Sequence, residues 1–133
     1  MPVSQQERDV VQGMFDAMQM GLDGESKMMA LFAEGATMTE PFDGTPQTSS
    51  GRDAIRQRFI AIWSEDGPHD LQVTVDQIDA SDGKLRVEWT CRSSAFVTPM
   101  VGIDHFTVRD GLIHELVMEV VTWPEFVGGG SHA

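Results

Sequence analysis

An α+β fold, with three helices laid on one face of a curved antiparallel sheet, is what this sequence predicts, and three features predict it. Apolar residues recur at helical spacing in the first half of the chain. From Leu71 onward they alternate at every second residue, as in half-buried strands. Asp82-Gly83 and Asp110-Gly111 punctuate the alternating half where hairpin turns belong. Helices over one face of such a sheet bury its apolar side and can enclose a pocket.

Each element has its own signal. "SQQE" at 4–7 matches a capping box, and Val10, Val11, Met14, Phe15 and Met18 then recur at helical spacing until Gly21, giving a first helix. After "DGES", the run "KMMALF" reads as a short apolar-faced helix closed by Gly35 in the left-handed conformation. "ATMTEPF", residues 36–42, follows as a strand, and Asp43-Gly44 turns the chain. In "SGRD", residues 50–53, Ser50 stands where a cap belongs, ahead of Ile55, Phe59, Ile62 and Trp63 on one helical face. That third helix ends at "DGP", residues 66–68. Leu71, Val73 and Val75, then Leu85, Val87, Trp89 and Cys91, are the inward positions of the next strands. His69 falls in a loop, and His114 opens the last strand on the parity of Leu116, Met118 and Val120.

The 133 residues, 41% of them hydrophobic, suffice for one domain with a sizeable core, placed at 1–127. The tail "GGGSHA", residues 128–133, is flexible by composition and stands apart from the fold. Nine Lys plus Arg against 21 Asp plus Glu give a formal charge of −12, which repels nucleic acid and anionic lipid. No window approaches the ~18 consecutive apolar residues of a membrane span. The start "MPVSQQERD" has neither a basic nor an apolar leader region, and a lone cysteine, Cys91, forms no internal disulfide, so a cytoplasmic location is expected. Four scattered histidines lack the tight spacing of metal ligands. Cys91, between Thr90 and Arg92, reads as inert, and Arg52, Arg56 and Arg58 read as a solvated helix face.

Two acids break the pattern. On the strand "ATMTEPF", Glu40 shares a face with Ala36, Met38 and Phe42. In "VGIDHFTV", Asp104 shares a face with Phe106 and Val108, while Ile103, His105, Thr107 and Arg109 point the other way. A buried carboxylate needs compensation, so each acid is either at a water-reached sheet rim or in a site that tunes acidity. His105, on the opposite face from Asp104, belongs to a dimer surface or a strand hydrogen bond.

"MMALFAEGATMTEPFDGTPQTSSGRDAIRQRF", followed later by "VGIDHFTVRDGLI", resembles the steroid Δ5-3-ketoisomerases and, more widely, the nuclear-transport-factor-2-like cone fold that includes SnoaL-type cyclases. The resemblance runs from about Val10 to Val121 and is only an outline between 64 and 98. It implies that Glu40 is the catalytic base, in place of the usual aspartate, and that Asp104 is the protonated, hydrogen-bond-donating acid; a carboxylic acid kept neutral by an apolar site is the known ketosteroid isomerase example. It implies no metal or organic cofactor, and as partners a small apolar molecule, steroid-like or polyketide-like, and a second copy in a homodimer. The paired surface would be the outer sheet face at Thr90, Arg92, His105 and Thr107.

Met14 stands at the position of the family's oxyanion tyrosine, and the chain contains no tyrosine. Losing one such donor costs ~10²–10³ in rate. Trp63 and Trp89 could substitute through their indole N–H groups, although both also read as core. Met14, Met18, Met38, Phe42, Phe59, Trp63, Trp89, Met100, Phe106 and Met118 are the candidate substrate-lining residues, thioethers moulding readily to rigid apolar ligands. Met28 and Met29 read as core. Related proteins of this fold suggest a cyclase, dehydratase or epoxide hydrolase in the same pocket, the last using an acid-arginine-acid set for which Arg92 has the wrong parity, or a binder without chemistry.

Overall fold

The structure, a computed structural model, describes residues 4–42, 44–64, 70–81 and 84–127, the side chains at 62, 64 and 81 aside. The readings at Asp43, residues 66–68, His69, Asp82-Gly83 and the tail 128–133 lie outside them.

Helix α1 (Gln5–Gln19) starts as its cap dictates: Ser4 accepts from the Glu7 N–H while the Glu7 carboxylate accepts from the Ser4 N–H. Its apolar stripe, Val10, Val11, Met14, Phe15 and Ala17, is buried. A 3-10 turn (Gly21–Gly24) leads into the short α2 (Glu25–Met29). Here the structure corrects the sequence reading. The helix stops at Met29, and Phe32 already opens strand β1 (Phe32–Glu40), so Gly35 is a strand residue and closes no helix. The reason is long-range: Phe32 pairs with Ile113, and the Leu31 carbonyl accepts from the Ile113 N–H.

A strand absent from the sequence reading, β2 (Gln47–Ser50), pairs with β1. Ser50 is its last residue and not a helix cap; Gly51, at φ 90°, turns the chain into α3 (Arg52–Ser64). The remaining strands are β3 (Gln72–Ser81), β4 (Lys84–Arg92), β5 (Met100–Arg109) and β6 (Leu112–Thr122).

The six strands form one sheet in the order β2-β1-β6-β5-β4-β3. It is mixed and not wholly antiparallel, because β1 runs parallel to β6. Register shifts in the β1–β6 and β3–β4 pairs and two in β5–β6 bend it, as bulges do. Helices pack on its concave, apolar face, where Phe15 meets Phe106 edge-on at 6.5 Å and Phe32 meets Phe59 at 6.4 Å. The architecture is therefore an α+β cone in which α3 lies over β1 and β2 while α1 reaches β3.

Candidate active site

Glu40 ends β1 with none of its surface exposed, and Asp104 in mid-β5 keeps 1%. Their alignment follows from the register. Thr39 lies beside Val117 in the parallel pair, so Glu40 comes level with Met118, the residue that faces Asp104 across β5–β6. The two acids thus share one face, two strands apart, with Met118 between them. At ordinary strand spacing that is about 10 Å between Cα atoms.

Each acid is compensated differently. Arg58 donates to Glu40 from Nε to Oε2 at 2.5 Å and from Nη2 to Oε1 at 3.0 Å, and the Phe42 N–H adds 3.0 Å to Oε1. A guanidinium fork of this kind satisfies a carboxylate that would otherwise be costly to bury. Arg58 therefore belongs to the site, not to a solvated face; its side chain is only 14% exposed. The sequence did carry the signal: Ile55, Arg58 and Phe59 stand at i, i+3 and i+4, so Arg58 lies in the inward stripe of α3. Arg52 is exposed, and Arg56 pairs with Glu25.

Asp104 is bonded to an indole instead of a guanidinium. The Trp89 Nε1–H donates to Asp104 Oδ1 at 2.8 Å. Burial pushes the Asp104 carboxyl up from 3.8 to about 7, and the Trp89 hydrogen bond restrains the rise. Near neutrality the group is divided between acid and carboxylate. Since Oδ1 is an acceptor, the proton of the acid form sits on Oδ2, which is then a hydrogen-bond donor. Trp89 is thus both core, at 5% exposure, and donor, although its partner is Asp104.

Met14, Met38, Phe59, Phe106 and Met118 are buried in the apolar core, and Met18, Phe42, Trp63 and Met100 are partly buried against it. Trp63 stacks on Phe59 at 5.4 Å, and its buried Nε1 has no hydrogen-bond partner among the described residues. Glu40 is fully buried, so the face is closely packed at that residue. A groove of about 360 Å³ lies elsewhere, between α1 and β3, with Arg8, Asp9, Asp76 and Gln77 among its lining.

The other candidates fall apart from this site. His105 lies on the outer sheet face, 2.6 Å from Glu119, and Arg92 is exposed. Burial, with the Asp70 charge second, pushes the Cys91 thiol up to about 11, which leaves it without nucleophilic thiolate. Among the described residues no three His, Cys, Asp or Glu side chains gather as metal ligands.

Fold and interior together define the nuclear-transport-factor-2-like class of α+β cones. Residues 11–116 match the family model described as the SnoaL-like domain, so the chain belongs to the SnoaL-like family. No curated protein matches it. Among solved structures it resembles a provisionally assigned ketosteroid isomerase from Kribbella flavida DSM 17836, with TM-score 0.69, 21% identity, and 90% of this chain and 81% of that one covered. It also resembles a provisionally assigned SnoaL-like polyketide cyclase from Jannaschia sp. CCS1, at 0.72 and 14%, covering 91% and 89%. A de novo designed protein with a curved β-sheet is similar too, at 0.67 and 16%, covering 88% and 87%. Likeness at this level establishes the fold; function rests on the residues inside it.

Proposed function

We propose that this protein is a cofactor-independent isomerase that moves the double bond of a small apolar β,γ-unsaturated ketone, steroid-like or polyketide-like, into conjugation. One observation carries the reading: two fully buried carboxyl groups on one sheet face, one bonded to a guanidinium and the other kept near neutrality as a proton donor. Glu40 takes the proton between the carbonyl and the double bond. Asp104, through Oδ2, donates a hydrogen bond to the dienolate oxygen, and Glu40 returns the proton at the γ carbon. The reaction is an isomerisation, so no atom or electron is gained or lost.

Two features of the site set its rate. Oε1 of Glu40 accepts from both Arg58 and the Phe42 N–H, and Oε2 accepts from Arg58 Nε, leaving the carboxylate to act through the second lone pair of Oε2. Of the two indoles that could replace the missing tyrosine, Trp89 is engaged by Asp104, whereas the Trp63 N–H has no partner among the described residues and is the available donor. Substrate enters by displacing the pliable side chains around Glu40, Met118 foremost. The test is absorbance growth as a β,γ-unsaturated ketone becomes the enone. Activity above buffer that disappears in both Glu40→Gln and Asp104→Ala supports the proposal; no acceleration contradicts it.

A second reading is favoured by Arg58, which supplies from α3 the arginine of an acid-arginine-acid set for epoxide opening. Diol formation from an apolar epoxide, without enone formation, would select it. Uptake of an apolar ligand unchanged by Glu40→Gln would indicate binding alone. As part of the same proposal, the chain is one domain over 1–127, cytoplasmic, indifferent to nucleic acid and membranes, and homodimeric through the outer sheet face at Thr90, Arg92, His105 and Thr107.

A further inference from the structure

We propose that Gly102 is a positioning residue: the space left by its missing side chain seats the Trp89 indole so that its N–H meets Asp104. The strand register sets the problem. Trp89 on β4 stands directly opposite Gly102 on β5, while Asp104 stands opposite Val87, one inward position further along. Gly102 and Asp104 point to the same face, two residues apart. An indole rooted at Trp89 must therefore cross over position 102 to reach Asp104.

It does so in contact with the backbone. A Cβ on residue 102 would fall 2.5 Å from Trp89 Cε2 and closer still to Cζ2, and also 2.5 Å from the Glu119 carbonyl oxygen. Cε2 is bonded to Nε1, so any side chain at 102 displaces the very edge of the ring that carries the N–H. The φ of Gly102 is outside the left-handed region, so the requirement is for room and not for an unusual backbone. Glu40, held by Arg58 from α3, lies on the far side of Met118 from Asp104.

The geometry stands whatever reaction the site performs, and the test reads it without turnover. In Gly102→Ala, the Trp89 indole N–H resonance should move upfield toward an unbonded position, and the Asp104 carboxyl midpoint should rise. Trp89→Phe should raise that midpoint equally, and the double variant no further. A folded Gly102→Ala with both signals unchanged overturns the proposal. Should Gly102→Ala fail to fold, the smaller ring of Trp89→Phe should restore folding in the double variant. No restoration would mean that Glu119 crowding alone requires the glycine, which also overturns it. Absence of isomerase activity in the native protein would leave all these readouts in place.

Discussion

Asp104 and Glu40 both sit on apolar faces, but different neighbours make them different reagents. The folded chain holds the Asp104 proton up to about 7, while the unfolded chain releases it near 3.8. Stability from this group is therefore full below 3.8, falls as pH rises through that window, and is level above about 7. The drop is on the order of 4 kcal/mol between the two limits. Asp104→Asn, which keeps an oxygen for the Trp89 N–H, should flatten that part of the pH–stability curve in urea titrations at several pH values. Arg58→Met strands a buried carboxylate and should cost about 3–5 kcal/mol, most of it recovered when Glu40→Gln is added; equal losses in the single and double variants would speak against the ion pair. The inward placing of both acids was legible from alternation alone. Arg58 was not read because its charge outweighed its position in the stripe. Gly102 was invisible, since its role depends on which residue of β4 lies opposite.

Elements were legible where they are local. The capping box of α1 can be read from four residues, and Ser4→Ala should cost about 1 kcal/mol in thermal or chemical unfolding. Alternation located β4 and β5 because each buries one face against the helices. Three features escaped for lack of a local signal. "QTSS" has no apolar alternation, since β2 is a mostly exposed edge strand held by backbone bonds to β1. The stretch from Met28 to Phe32 is apolar enough for either structure, and pairing with β6 decides where the helix yields to the strand. The parallel β1–β6 pair joins segments far apart in sequence, and that neighbour relation brings Glu40 level with Met118 and Asp104.

For the whole molecule, a single curved sheet with helices on its concave side turns two distant acids toward a common interior, leaving the outer face for other contacts. The His105–Glu119 pair lies on that outer face. Light scattering after size exclusion should give twice the 14.7 kDa chain mass, and a monomer at all concentrations would contradict the proposed dimer. The formal charge of −12 should keep the protein from binding DNA even at low salt, as a mobility shift would show. The central claim is that one buried acid remains a proton donor at neutrality beside another held by arginine. Its most direct test is the titration of the Asp104 carboxyl carbon by NMR. A midpoint near 7 that climbs in Trp89→Phe is the expected result; a midpoint near 4, indifferent to Trp89, would contradict the account.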